Sequence, residues 1–269
     1  MTTADNDRFL RFWWEVNNRK IYNLKQDSNK WYPYQKGGEA RKWYGNNEWI
    51  VNWEKDGEEI KNHKDIVSGR VRSHNYNGEY SLKEGITWSA FSNGGLSFRY
   101  VEHGYLFDTT GSMAFSDGDL YYILAYLNSE QAQVFLKAYS PSPRIKIESL
   151  LSLPLALTEE QKKELGTLGK SAVSLEKKLY SLNETSPTFH LTKNVLMSSL
   201  NDIDIYIKNE ITEKEKIEKN IDIIISQALN VSFEPRESSI VNCIFNIFNL
   251  LSFSIGCMMG RYSLDREGL

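Results

Sequence analysis

The uneven distribution of aromatic and heptad residues constrains the fold of this 269-residue chain more than any other feature. All seven tryptophans lie in the first 88 residues, where short alternating runs are separated by Gly and Asn. Such runs are typical of strands joined by turns. From residue 158 onward, Leu and Ile recur at spacings of three and four, the pattern of helices that pair along a heptad seam. The sequence therefore predicts an α+β fold whose second part is helical.

The pattern predicts strands within 85–91, 96–101 and 105–110, and a helix over 119–138 capped by Asp117. Thr158 and Gln161 resemble a capping box at the start of the first heptad helix. Two such helices with a linker between them fold most simply as an antiparallel pair. We expect an α+β domain over 1–157, the heptad helical pair over 158–232, and a C-terminal helical segment over 233–269.

Charge and composition limit the function classes. The net charge of −3 means that nucleic-acid binding has to rest on a local basic face. Two cysteines make no disulfide framework, the histidines have no ligand-like spacing, and the N-terminus lacks a signal peptide, so we expect a cytoplasmic protein without a metal site. The uncharged stretch 238–260 is long enough for a membrane span, but three asparagines on one helical face favour a buried amphipathic helix.

Motifs for catalysis are missing from the sequence. There is no glycine-rich cofactor loop, no paired-proline motif for gripping a flipped base, no P-loop and no nucleophile elbow. Acidic residues near 5–7 and 117–119 have turn and cap roles as their ordinary explanation. We therefore predict no catalytic residue, no metal ligand and no cofactor site in this chain.

The stretch from Trp31 to Asn62 interleaves aromatic and basic side chains around a Gly37-Gly38 turn. Aromatic rings can stack on bases and cations can hold phosphates, which predicts a nucleic-acid surface. The predicted phosphate contacts in this stretch are Lys36, Arg41 and Lys42, and the base-stacking candidates of the chain are Trp43, Tyr44 and Tyr100. Two alternatives stay open at this point, namely that the rings build the core and that the cations are simply solvated.

A polar segment near residues 68–78 is the best candidate for base readout. Arginine binds guanine and asparagine binds adenine through paired hydrogen bonds in the major groove, which points to Arg70, Arg72 and Asn75. A surface loop without function is the alternative. Further predicted DNA contacts are Arg99 in a strand-like run and, on one side of a short alternating run, Arg144 and Lys146.

Several segments together resemble the C-terminal half of the PglX family, the adenine-specific DNA methyltransferases of BREX bacteriophage-exclusion systems. The resemblance lies in Ala4–Val16, Lys30–Asn62, Gly85–Asp108 and Ile255–Leu269, in the order and spacing of the family. The run over 119–154 is more loosely similar to the end of a target-recognition domain in type I restriction specificity subunits. There, a long helix follows as a spacer.

The resemblance implies a target-recognition module that binds double-stranded DNA for a catalytic domain absent from this chain. That catalytic domain, with its S-adenosylmethionine, lies N-terminal to these segments in the family. The sequence also ends without a helix stop, so we expect a fragment, a split-gene subunit or a degraded gene product. The alternative function is a protein-interaction module that docks other defence-system subunits through its heptad helices, without DNA readout of its own.

Overall fold

The computed structural model describes residues 1–22, 29–75, 78–90, 96–140, 147–189, 200–231 and 255 of the chain. It confirms the α+β prediction, because the described residues form seven α-helices and two small sheets. The apolar stretch 238–260 and the run that contains Arg144 and Lys146 lie outside the described residues, except for Ile255. Among the helices that are described, none is both long enough and apolar enough to cross a bilayer.

Sheet A is built by the first aromatic-rich segments and has the strand order β1-β3-β2-β6. Its strands are β1 (Leu10–Phe12), β2 (Trp31–Gln35), β3 (Trp49–Asn52) and β6 (Leu106–Phe107). β3 pairs antiparallel with β1 and β2, whereas β6 joins β2 in parallel. One face packs against the helices α1 (Asn6–Phe9) and α2 (Glu54–Lys61) around a core that includes Phe9, Tyr34, Val51 and Ile60.

Sheet B contains β4 (Gly85–Trp88), β5 (Phe98–Val101) and β7 (Met113–Ala114), in the order β5-β4-β7. The predicted strands at 85–91 and 96–101 are confirmed as an antiparallel pair, with Ile86 opposite Tyr100. The third predicted strand, over 105–110, is present as β6 but belongs to sheet A. The chain therefore crosses between the two sheets after Val101.

The predicted helix over 119–138 is two helices, α3 (Leu120–Asn128) and α4 (Glu130–Tyr139). Asp119 rather than Asp117 caps α3, because its carboxylate accepts the hydrogen bond from the N–H of Tyr121. Ser129 divides the pair: its backbone is extended, and its hydroxyl caps α4 through the N–H of Ala132. A short helix, α5 (Ile147–Leu151), follows.

The two long helices are α6 (Glu159–Tyr180) and α7 (Leu200–Leu229). The capping box of Thr158 and Gln161 is confirmed, with both reciprocal hydrogen bonds present. The helices are antiparallel, as predicted, because the pairs move back along α7 as they move forward along α6: Glu176 pairs with Lys214, and Lys178 with Glu210.

The helical pair does not stand apart from the sheets in the described residues. α6 packs closely on α3, where Gly169 lies so near the carbonyl of Tyr121 that an added Cβ would be 2.4 Å from that oxygen. One continuous core joins sheet B, α3, α6 and α7, and includes Trp43, Phe98, Leu124, Leu165 and Ile221. The division at residue 157 stays a prediction, and the helices on both sides of it share this core.

Candidate nucleic-acid interface

A short hairpin over residues 63–72 projects from the chain after α2. Lys64 and Val71 form an antiparallel bridge, and the N–H of Arg72 donates to the carbonyl of His63 at 3.0 Å. At the tip, the carboxylate of Asp65 accepts hydrogen bonds from the N–H groups of Val67 and Ser68, at 3.1 and 2.8 Å. The hydrogen bonds from Ser68 hold the pKa of Asp65 below its ordinary value. The tip is therefore an ordered turn closed by a side chain.

The base of this hairpin is fixed to the body of the protein. The buried Ser73 hydroxyl donates to the carbonyl of Ile60 at 2.7 Å, which ties the returning strand to the end of α2. Thr2 and His74 form a second bridge, in which the N–H of Thr2 donates to the carbonyl of His74 at 2.8 Å. These two anchors hold the stem in one place while the tip extends into solvent.

The side chains at the tip and along the stem are open to solvent. Ile66 is 100% exposed and Val67 is 95% exposed. Lys64, Arg70 and Arg72 are exposed as well. Within the described residues, Lys64 and Arg70 have no ion-pair partner, and Arg72 has only a loose one at 3.9 Å from Asp65. Three cations on one small hairpin produce a local positive field on a chain whose net charge is −3.

Asn75 lies at the base of this element and differs from Arg70 and Arg72 in its surroundings. Its amide nitrogen is 3.4 Å from the hydroxyl of Ser73, and its side-chain oxygen is buried. The structure therefore presents the two arginines to solvent, whereas the polar groups of Asn75 face inward.

The Gly37-Gly38 turn packs against the protein. Gly37 is buried, and a Cβ there would be 2.8 Å from the carbonyl oxygen of Thr110. Lys36 turns inward and donates to Asp108 at 2.7 Å, with only 21% of its side chain exposed. Burial alone would raise the pKa of Asp108, but the hydrogen bond and charge of Lys36 hold it below its usual value. Lys36 is thus the counter-ion of a buried carboxylate.

Arg41 and Lys42 are partly buried beside α6 and α3. The guanidinium of Arg41 lies 4.9 Å from the ring centre of Tyr180, a cation–π contact. Lys42 donates to the carbonyl of Asn128, at the end of α3, at 3.0 Å. Both cations therefore have structural partners, although Arg41 has no carboxylate within ion-pair distance among the described residues.

Arg99 is fully buried, at 0% exposure, on the face of β5 that turns away from the core of sheet B. Its guanidinium reaches the hydroxyl of Ser89 at 3.3 Å and the carbonyl of Arg41 at 3.4 Å, and its Nε has no partner. Burial, followed by the charge of Arg41, lowers the pKa of Arg99 to about 10, against an opposing effect of Glu48. In this position Arg99 cannot contact DNA directly.

The three rings that the sequence placed as stacking candidates are core residues. Trp43 is 1% exposed, and its indole N–H donates to Glu218 of α7 at 2.6 Å. Tyr44 and Tyr100 are also buried, with their hydroxyls donating to Glu102 and Glu84. Burial raises the pKa of both tyrosines above the ordinary range. None of the three rings has a face open to a base.

Other aromatic rings of sheet A are partly exposed. Phe12 stacks on Trp14 with ring centres 4.6 Å apart, and Trp49 lies 4.1 Å away on β3. On the other face, Arg11 and Lys30 lie about 6 Å from the ring centre of Trp31, at 6.0 and 5.9 Å. The aromatic and basic pattern of the sequence is therefore present at the surface, but in different residues from those singled out.

Six of the nine predicted DNA contacts fall into two groups in the structure, whereas Asn75 faces inward at the base of the hairpin and Arg144 and Lys146 lie outside the described residues. Arg70 and Arg72 are brought together on the hairpin, and the sequence reasoning missed their exposed neighbours Lys64, Ile66 and Val67. The sequence did contain a signal for this tip, because the apolar pair Ile66-Val67 lies between polar residues in a segment typical of a turn. The second group surrounds the glycine turn and faces inward, namely Lys36, Arg41, Lys42 and Arg99.

The described residues do not fit an S-adenosylmethionine site. Such a site needs a glycine-rich turn between a strand and a helix, usually in a parallel sheet. Here the one parallel pair among the described strands is β2 with β6, and neither runs through such a turn into a helix. Within the same ranges, no group of three His, Cys, Asp or Glu side chains is placed to hold a metal ion.

Comparison with known proteins gives two close similarities and no match to a family model. The chain is 35% identical, over 298 aligned positions and its whole length, to the adenine-specific methyltransferase PglX of Lacticaseibacillus casei (strain Zhang). It is 32% identical, over 302 positions and again its whole length, to the adenine-specific methyltransferase BrxX of Escherichia coli O9:H4 (strain HS). In both comparisons the chain spans 24% of the relative's length.

Both relatives match this chain from one end to the other. This similarity agrees with the family resemblance of the sequence segments, which is thereby confirmed. The chain is related over its entire length to a part of the BREX adenine-specific methyltransferases, and the match fits a C-terminal portion of such a protein.

Proposed function

We propose that this chain forms the DNA target-recognition portion of a BREX-type adenine-specific DNA methyltransferase that acts in phage defence. Its described α+β part binds duplex DNA and reads a short site. A catalytic domain outside this chain, using S-adenosylmethionine, then methylates an adenine within that site. The proposed place of action is the cytoplasm.

The observation that carries this proposal is the anchored hairpin with three exposed cations. Lys64 and Arg70, which have no ion-pair partner among the described residues, and the loosely paired Arg72 can neutralise phosphates and release counterions, which is a large source of affinity for DNA. Arginine binds guanine through paired hydrogen bonds in the major groove, and Arg70 and Arg72 are both exposed on this hairpin. The relatives support the same proposal, since both are named as adenine-specific methyltransferases.

Selection from a randomised duplex pool tests the proposal. The purified chain is incubated with the pool at low and at physiological salt, and bound sequences are read out. We expect an enriched asymmetric motif whose binding weakens steeply as salt rises. Absence of enrichment together with salt-independent binding would overturn the proposal.

A charge-matched pair of variants localises the binding. Arg70→Ala with Arg72→Ala removes two hairpin cations, and Lys163→Ala with Lys170→Ala removes two exposed cations of α6. The first pair is expected to lose enrichment and the second to keep it. Equal losses in both would mean that only net charge matters, which contradicts site reading by the hairpin.

A second function, docking of another defence-system subunit, is favoured by the groove between α6 and α7. Leu168 and Leu175 line this groove and are half-buried, and the buried Ile217 of α7 lies at its floor. Leu168→Glu separates the two functions. If the groove holds a partner, the variant loses assembly with the catalytic subunit but keeps its DNA motif. If the two helices pair only with each other, the same change unfolds the domain, because Leu168 packs against the shared core.

A further inference from the structure

The tip of the 63–72 hairpin carries two apolar side chains where turns ordinarily carry polar ones. Tight turns favour Gly, Asn, Asp and Ser, because these residues adopt turn geometry and are compatible with water. Here Ile66 and Val67 occupy the tip, 100% and 95% exposed. Neither side chain contributes burial to the fold, so folding does not account for them.

The tip is built to be held in one shape. Asp65 fixes the backbone of Val67 and Ser68 through two hydrogen bonds, and the N–H of Gly69 donates to the carbonyl of Asp65 at 2.9 Å. Gly69 has a φ of +66°, a conformation that side chains rarely adopt. An ordered tip loses little conformational entropy when a ligand covers it.

Charge identifies the partner of this apolar tip. Lys64, Arg70 and Arg72 surround it, and the nearest acid, Asp65, is engaged by the turn itself. A neutral apolar protein surface would leave three cations unmatched, whereas a nucleic-acid groove offers an apolar floor between two rows of phosphates. The observations therefore favour duplex DNA.

The dimensions of the hairpin select the groove. Ile66 lies three positions after His63, which limits the reach of the tip beyond the His63–Arg72 pair to about 10 Å at about 3.3 Å per residue. The major groove is about 8.5 Å deep and about 12 Å wide and admits a two-stranded ribbon, whereas the minor groove is only about 6 Å wide. The apolar feature on the floor of the major groove is the thymine methyl group.

We propose that Ile66 and Val67 contact thymine methyl groups in the major groove, with Lys64, Arg70 and Arg72 on the flanking phosphates and base edges. The inference rests on the proposed function, and it adds a specificity element that selects A·T pairs through their methyl groups. A site that contains a target adenine necessarily contains a thymine opposite it, so this element has a ligand in every such site.

The test compares thymine with deoxyuridine, which lacks only the methyl group. Duplexes recovered by selection are synthesised with single thymine-to-deoxyuridine replacements, and the affinity of the chain is measured for each. We expect binding to weaken about threefold to fourfold for each contacted methyl group. The variant Ile66→Ser with Val67→Ser is expected to bind all these duplexes equally, because its tip no longer gains from the methyl groups.

The outcomes separate this inference from the function on which it rests. Tolerance of every replacement by the unaltered chain, with the motif still selected, overturns the methyl contact and leaves DNA recognition standing. Failure to select any duplex overturns both. Retained methyl sensitivity in the serine variant overturns the assignment to the tip. If that variant instead loses binding to the catalytic subunit with its DNA affinity unchanged, the tip is a protein contact and the proposal is wrong.

Discussion

The cations around the glycine turn and those on the 63–72 hairpin differ in the partners that the fold gives them. Lys36 and Arg99 are enclosed, the first by Asp108 and the second by Ser89 and a backbone carbonyl. Arg70 is exposed on an anchored hairpin, with no ion-pair partner among the described residues. Basic residues beside aromatic ones can therefore either stabilise the fold or bind nucleic acid. The solvent exposure of the basic side chain distinguishes the two roles.

The largest effect on stability is expected from removing the buried guanidinium of Arg99. Arg99→Met is expected to lower the free energy of unfolding by about 2–5 kcal/mol, because it disrupts a buried polar network and the packing around it. Chemical denaturation measures the loss. The matched exposed variant, Arg70→Met, is expected to change stability by no more than about 0.5 kcal/mol. Equal stability of the two variants would contradict the structural role of Arg99.

The hairpin cations should show the reverse behaviour. Arg70→Ala and Arg72→Ala are each expected to cost about 1–3 kcal/mol of binding to a selected duplex, or to relax its sequence preference. Isothermal titration of the folded variants checks this. Arg99→Met, corrected for its folded fraction, serves as the comparison and should retain the sequence preference. Loss of sequence preference in Arg99→Met, with the preference retained in the hairpin variants, would contradict the assignment of base readout to the hairpin.

The pH dependence of stability tests whether Lys36 acts as the partner of the buried carboxylate of Asp108. Lys36→Met leaves Asp108 buried without its cation, at an expected cost of about 1–3 kcal/mol near neutral pH. The folded pKa of Asp108 lies below its unfolded value, so its contribution to stability is present above the unfolded pKa and is lost as pH falls through the folded pKa. Denaturation curves of the variant should therefore show a smaller acid-side loss.

The matched control is Lys36→Met combined with Asp108→Asn, which removes the buried charge. This double variant should recover part of the stability that the single variant loses. A further decrease would show that Asp108 stabilises the fold through Thr109 and Thr110 rather than through Lys36.

The smallest expected effect comes from Asp222 on α7, which caps α4 by accepting from the N–H of Glu130 at 2.9 Å. Burial raises the pKa of Asp222 to about 6. The folded protein then binds a proton that the unfolded chain has already released, so stability rises as pH falls from about 7 to about 5, by about 1 kcal/mol. Asp222→Asn should flatten this dependence, and an unchanged pH profile in that variant would refute the assignment.

Local signals predicted the secondary structure better than they predicted the site. The capping box at Thr158 and the strands Gly85–Trp88 and Phe98–Val101 follow from neighbours in sequence, and the structure has them. Lys36 donates a hydrogen bond to Asp108, 72 residues away, and Trp43 donates one to Glu218, 175 residues away. These long-range contacts hold both side chains inward. Sequence periodicity does not reveal such long-range pairs. The aromatic and basic pattern around Lys36 and Trp43 therefore predicted a DNA-binding surface, although Trp43 lies in the core and Lys36 faces inward.

The hairpin shows the opposite error. Its segment contains no strand-like alternation, so the sequence predicted a loop with two arginines and overlooked the ordered tip. The hairpin is held in place by the side chain of Asp65 at its tip and by the hydrogen bonds of Ser73 and Thr2 at its base. These are individual hydrogen bonds, and they leave no repeating pattern in the sequence. The helical pair was predicted correctly, but its shared core with sheet B was not, because the close approach of Gly169 to α3 has no periodic signature.

The most direct test of the central claim is the salt dependence of binding to a selected duplex. The unaltered chain, the Arg70→Ala/Arg72→Ala variant and the Lys163→Ala/Lys170→Ala variant are compared by plotting the logarithm of affinity against that of salt concentration. We predict that the hairpin variant loses affinity and that its slope falls by about 0.9 for each of the two arginines that contacts a phosphate, whereas the α6 variant keeps both affinity and slope. A hairpin variant with the affinity and the slope of the unaltered chain would contradict the assignment of this hairpin as the DNA-binding surface.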